Sequence, residues 1–228
     1  MPRQGPLQWV DGYGWLILVG GGDWHRGELD RIDAQILSVI NLDRPMIVLT
    51  ASGPVTEAEA ILEHYTLLGG PGGEALTLDQ MSRSQLSAPP FLELFGAAGL
   101  LVMAGHNPLP LAQNLYLSPA LEHIVQGFST LQALTLVGIG GAASTLSRWA
   151  IGPAPNYLQA KGLGFLMNAV VAPHFTRTED SILQHVPQEL PDMLGLGIPN
   201  QTALALGPEG QVETWGTGQV TAVVKAKT

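Results

Sequence analysis

The chain predicts an α/β fold, a mostly parallel sheet with helices on both faces and a short antiparallel C-terminal extension. Three observations carry the prediction. Continuous apolar runs, such as Trp15-Leu16-Ile17-Leu18-Val19 and Leu134-Thr135-Leu136-Val137, read as strands buried on both faces. They alternate with stretches of helical spacing, and that alternation implies parallel strands joined by right-handed crossovers. Beyond Thr202 the pattern changes to short strands separated by glycine-rich turns.

In order, residues 1–14 are rich in proline and glycine and are expected to form a loosely held arm. Residues 15–228 are expected to form one domain. The first strand, Trp15 to Val19, ends in Gly20-Gly21-Gly22-Asp23, and helical spacing follows through Ile32, Ile36, Leu37 and Ile40. Pro45 to Thr50 is a second strand. A helix from about Thr56 to Leu68 starts with Glu57 and Glu59, where the helix dipole favours them, and stops at Gly69-Gly70. Glu74 to Leu78 is a third strand and Gly99 to Gly105 a fourth, followed by a helix carrying Leu109, Leu115, Leu121 and Val125. The run from Leu134 to Ser144 is a fifth strand that bends over small residues into a helix. Next come Gly164 to Met167, Ala172 to Phe175, a helix near Glu179 to Val186, and terminal strands at Thr202–Leu206, Gln211–Trp215 and Val220–Val224.

Composition narrows the functional classes. Ten Lys and Arg against nineteen Asp and Glu give a net charge of −9, which disfavours nucleic acid and anionic membranes as partners because both need clustered cations. There is no cysteine, so thiol nucleophiles, disulfides and Cys-ligated metals are excluded, in keeping with a cytoplasmic protein. Trp15 to Gly20 is too short for a signal-peptide core. Glu122 is the only charged residue between Glu93 and Arg148, yet Pro108, Pro110, Pro119 and many glycines break that stretch into pieces too short to span a bilayer.

Motif matching removes further classes. A dinucleotide fingerprint starting at Gly20 would need glycine where His25 stands, and a phosphate loop over Gly22–Glu28 would place Glu28 where a lysine belongs. Neither a cofactor nor a metal is expected, since the six histidines show no metal-ligand spacing. His64, His123 and His185 read as half-exposed helix residues. His174 differs, because it follows the apolar stretch Leu166–Pro173 at a strand's carboxyl end, where open α/β sheets place their sites.

Six short motifs occur in order: Gly20-Gly21-Gly22, Thr50-Ala51-Ser52-Gly53, Ala104-Gly105-His106-Asn107, the bend at 138–144, Pro173-His174-Phe175, and Gly195 to Leu204. Together, from about Trp15 to Val224, they resemble the dipeptidase E/cyanophycinase family of serine peptidases, relatives of class I glutamine amidotransferases. The resemblance implies a flavodoxin-like sheet and a homodimer. It also implies a serine nucleophile at the bend, but the family's Gly-Thr-Ser-Ala-Gly-Ala is here Gly138-Ile139-Gly140-Gly141-Ala142-Ala143, which puts glycine at the nucleophile position. His174 matches the base. The acidic position falls on Asn200, and the family's Gly-Gly-x-Gln becomes Ala104-Gly105-His106-Asn107. Of the arginine run that holds an acidic substrate only Arg177 lies nearby.

A serine peptidase needs a nucleophile, a base and a group that orients the base. Losing a triad serine costs on the order of 10⁶ in rate. The expected function is therefore that of an inactive pseudopeptidase. It would bind a small molecule or peptide in a cleft lined by Gly21, Gly105, His106, Asn107, Gly140, Gly141 and His174. The alternative is a serine-type hydrolase of acidic or β-aspartyl peptides with a relocated nucleophile. Ser144 lies a turn past the apex, Thr145 is similarly placed, and Ser52 sits in another loop.

Overall fold

A computed structural model describes residues 6–78, 81–151, 158–176, 180–190 and 192–224. Its first strand, β1 (Leu16–Val19), is buried along its whole length. Leu16 and Leu18 face one apolar layer and Ile17 and Val19 the other, as the two-residue period of a strand requires. A 3-10 turn at Trp24–Arg26 leads to α1 (Asp30–Val39), followed by β2 (Met46–Thr50), α2 (Val55–Leu67) and β3 (Gly73–Thr77). Two short helices, α3 (Arg83–Leu86) and α4 (Pro89–Ala97), precede β4 (Leu100–Gly105).

The single helix predicted after β4 is two helices, α5 (Leu109–Leu115) and α6 (Pro119–Ser129). Leu117 takes a positive φ of 53°, Ser118 caps the Leu121 N–H, and Pro119 occupies the first turn, where its missing N–H costs nothing. The bend follows as β5 (Thr135–Gly140) and α7 (Gly141–Thr145). A hairpin of β6 (Trp149–Ile151) and β7 (Leu158–Lys161) leads to β8 (Ala169–Pro173), α8 (Asp180–Glu189) and β9 (Leu194–Ile198). The chain closes with β10 (Thr202–Leu206), β11 (Val212–Gly216) and β12 (Thr221–Val223).

The main sheet has the order β11-β10-β1-β5-β4-β2-β3. Its strands β1 to β5 run parallel, and β10 and β11 add an antiparallel edge beside β1. The predicted terminal strands do not all join this sheet. β12 pairs antiparallel with β9, and β9 runs parallel to β8, in a separate three-stranded sheet. That sheet packs on α8 through its own small core of Val170, Leu183 and Val186. Gly164–Met167 forms only isolated bridges through Leu166. Among the described residues no helix is long and apolar enough to cross a membrane.

This topology brings the carboxyl ends of β1, β4 and β5 side by side in the middle of the main sheet. Gly105 and Gly140 are register partners at the ends of β4 and β5. His174, just beyond β8, bonds back across to the end of β1, its N–H donating to the Gly20 carbonyl at 2.8 Å.

Candidate functional site

The bend is a tight strand-to-helix elbow with Gly140 at its summit, at φ 62° and ψ −132°. Glycine suits that conformation because it has no Cβ to clash. Small residues elsewhere in the bend let α7 fold back onto its strand. A Cβ on Gly138 would lie 2.8 Å from the Ala143 Cα, and one on Gly141 would lie 2.1 Å from the His106 carbonyl oxygen.

His174 faces this summit. A Cβ built on Gly140 would stand 3.1 Å from His174 Nε2, with the Gly105 carbonyl oxygen next at 3.4 Å. The ring's other nitrogen, Nδ1, is 2.7 Å from Asn200 Oδ1. With that oxygen accepting, Nδ1 carries the proton and Nε2 presents a lone pair. His174 Nε2 is shielded from solvent and has no hydrogen-bond partner among the described residues. His174 itself has φ 54°, a costly conformation for a histidine. It is held from both sides, by its own N–H on Gly20 and by the Phe175 N–H on the Ile198 carbonyl. Gly21, at φ 133°, lies flat beneath the pair: a Cβ there would meet His174 Cε1 at 2.3 Å and Asn200 Oδ1 at 2.9 Å.

The geometry thus unites Gly140, Gly141, His174, Asn200, Gly21, Gly105 and His106, and places Asn107, Ser144, Thr145 and Ser52 apart. His106 is exposed, its ring centroid 5.4 Å from that of His174. Asn107 turns away, its Oδ1 accepting the Leu109 N–H to start α5. Ser144 is fully buried and its Oγ accepts the Ile151 N–H at 2.6 Å, while Thr145 Oγ1 donates to the Pro108 carbonyl. Both hydroxyls are therefore occupied by the scaffold. Ser52 is exposed in its own loop. Arg177 lies outside the described residues.

A small pocket of about 70 Å³ lies at the summit, lined by Gly21, Gly22, Trp24, Glu57, Gly105, His106, Ile139, Gly140 and His174. Trp24 and Glu57 were not expected from sequence, because their place depends on how α2 lies over the loop after β1. Beside this pocket a buried carboxylate ties α1 to α2. Asp33, 1% exposed, accepts the Tyr65 hydroxyl at 2.6 Å, and its second oxygen lies 2.9 Å from His64 Nε2. The bond to Asp33 raises the His64 pKa above 6.5 against the opposing effect of burial, with the charges of Asp33 and Asp30 adding to the rise. Burial first, then Asp33, pushes the Tyr65 hydroxyl well above its ordinary value. His64 is thus a half-exposed helix residue, as expected, and is anchored to Asp33. The signal was present in the sequence, since Asp33 shares the buried face of α1 with Ile32, Ile36 and Leu37.

The chain matches no protein-family model and no curated protein. Among solved structures it is similar to a peptidase from an acI-B1 Actinobacterium, with a TM-score of 0.61 and 20% identity over 93% of this chain and 99% of that one. It is also similar to a protein provisionally assigned as a peptidase E from Listeria monocytogenes EGD-e. There the TM-score is 0.60 and the identity 16%, over 90% of this chain and 99% of that one. What the chain shares with these structures is a peptidase-like fold.

Proposed function

We propose that this protein is a catalytically inactive relative of the dipeptidase E/cyanophycinase peptidases that binds a small molecule or peptide at the former active site. One observation carries the reading: the residue whose Cβ would stand 3.1 Å from His174 Nε2 is Gly140. The histidine is kept and Asn200 stands where the family's acid would orient it, while the position that supplies the attacking oxygen in an active peptidase is bare backbone.

Two further features support it. Asn200 orients the ring of His174 but, as a neutral amide, brings no charge to stabilise an imidazolium during proton transfer. The Gly105 carbonyl oxygen also lies 3.4 Å from where a Gly140 Cβ would stand, and a developing oxyanion is stabilised by donors, not by acceptors. A relocated nucleophile finds little support, since Ser144 and Thr145 spend their hydroxyls inside the scaffold.

The test is turnover. Purified protein incubated with aspartyl and β-aspartyl dipeptides is expected to release no more product than its His174→Ala variant. Cleavage at an ordinary enzyme rate, about 1 s⁻¹ or faster and lost in that variant, would overturn the proposal.

A further inference from the structure

A second cavity opens beside the summit pocket. It is a groove of about 610 Å³ between the loop after β1 and the exposed face of α2, a volume within the roughly 300–1,000 Å³ of small-molecule sites. Thr56, Ala60, Glu63, His64 and Leu67 form its α2 wall, since residues three and four apart share one helix face. The loop after β1 adds Asp23, Trp24 and His25. Among these side chains His64 is the one held by a buried acid.

His64 Nε2 lies 2.9 Å from Asp33 Oδ2, and Asp33 Oδ1 accepts the Tyr65 hydroxyl at 2.6 Å. The carboxylate is 1% exposed and both of its oxygens are used, so it holds the imidazole in one orientation. With Nε2–H donating to Asp33, neutral His64 carries its lone pair on Nδ1. That nitrogen has no hydrogen bond among the described residues. Nor is it one of their solvent-shielded, unpartnered atoms, which are Trp24 Nε1 and His174 Nε2. Nδ1 is therefore open to solvent, on a side chain that is 17% exposed and lines the groove.

An imidazole oriented by a carboxylate is a common general base. Here the bond to Asp33 raises the His64 pKa above 6.5 against burial, with the charges of Asp33 and Asp30 adding to the rise. Asp30 lies 3.8 Å from Nε2, and Asp23, His25, Glu57 and Glu63 are the other titratable groups lining the groove. The carboxylates repel an anionic ligand, while Trp24, Ile61 and Leu67 offer apolar surface to an aromatic one. General-base help contributes about 10²–10⁴ in rate. That suits an ester with a good leaving group and falls far short of what an amide demands.

We infer that His64, oriented by Asp33, is a general base that hydrolyses neutral or cationic aryl esters in this groove. The oxygen of a water molecule bonds to the ester carbonyl carbon as the water's proton passes to Nδ1. The bond from that carbon to the aryl oxygen then breaks, and the phenol leaves with the proton. Ester and water become carboxylic acid and phenol, with no oxidant or reductant. His64 is the catalytic residue of this reaction and Asp33 a positioning residue. The reaction uses neither Gly140 nor His174, so it stands independently of the inactive-site reading.

The experiment follows p-nitrophenyl acetate hydrolysis by the full chain from about pH 5 to about pH 9. kcat/KM is expected to rise to a plateau with a midpoint above 6.5, where His64 loses its proton, and to fall in heavy water. A nitrophenyl acetate bearing a ring carboxylate is expected to react at least about tenfold more slowly. His64→Gln keeps an N–H for Asp33 but no base, and is expected to lower kcat/KM at least about tenfold. Asp33→Asn is expected to lower the midpoint as well as the rate. His123→Gln, on α6 and outside the groove, is expected to change neither. The wild-type pH profile and isotope effect need no variant, so they decide the question if His64→Gln unfolds. A rate no better than that of free imidazole at the same concentration, a flat pH profile, no slowing in heavy water, or full activity in His64→Gln would overturn the inference. Activity kept in His64→Gln and lost in His174→Ala would defeat the inactive-site reading as well.

Discussion

At the scale of single residues, the site is defined by glycines that hold their neighbours close. Gly21 is the clearest, because a methyl group there would drive into both His174 and Asn200 and its φ of 133° resists any side chain. Gly21→Ala is therefore expected to cost about 1–3 kcal/mol in urea unfolding. It should also weaken ligand binding, by pushing the imidazole off Asn200. A variant as stable as the wild type with unchanged binding would show that the pair does not rest on this backbone. Gly140 works in the opposite sense: what a side chain would meet there is a functional group, His174 Nε2. This grouping was partly legible in the sequence. The order of motifs pointed to Gly140, His174 and Asn200, which the fold brings together, whereas the Asn107 side chain bonds to the Leu109 N–H at the start of a helix.

At the scale of elements, α1 and α2 are clasped by Asp33, Tyr65 and His64, and the clasp titrates. His64 has a folded pKa raised above 6.5, so the stability it adds is fully present below pH 6.5 and is lost as pH rises through the raised folded value. Urea unfolding should show wild type exceeding Asp33→Asn by more at about pH 6 than at about pH 9. A gap that stays constant or widens over that range would contradict the pairing. Which elements were legible follows from local pattern. β1, β2, β4 and β5 announce themselves as unbroken apolar runs. β9 does not, because Leu-Gly-Leu-Gly-Ile puts glycine where a strand normally carries side chains. Those glycines admit neighbours instead, Gly195 against the Leu183 carbonyl and Gly197 against the Phe175 ring. α4 and the break between α5 and α6 were not read, because Pro89, Pro90 and Pro119, which suggest interruptions of the chain, here open helices.

At the scale of the whole molecule, the parallel core and its antiparallel edge were foreseeable from alternating strands and helices. The separation of β8, β9 and β12 into a second sheet was not, because pairing between strands distant in sequence leaves no local trace. That second sheet matters to the site, since it delivers His174 and Asn200 to the carboxyl end of the main sheet from outside it. The result is a peptidase-like fold in which the His174 imidazole faces a summit that carries no hydroxyl. Fluorophosphonate labelling followed by intact-mass measurement tests this most directly, on wild type, Gly140→Ser and Gly140→Ser/His174→Ala. Wild type is expected to take up no label. A serine at position 140 should be labelled once His174 shifts back by a few tenths of an ångström, and the double variant should lose the adduct. Labelling of the wild-type protein that disappears with His174→Ala would contradict the account, for it would mean that another hydroxyl reaches this imidazole.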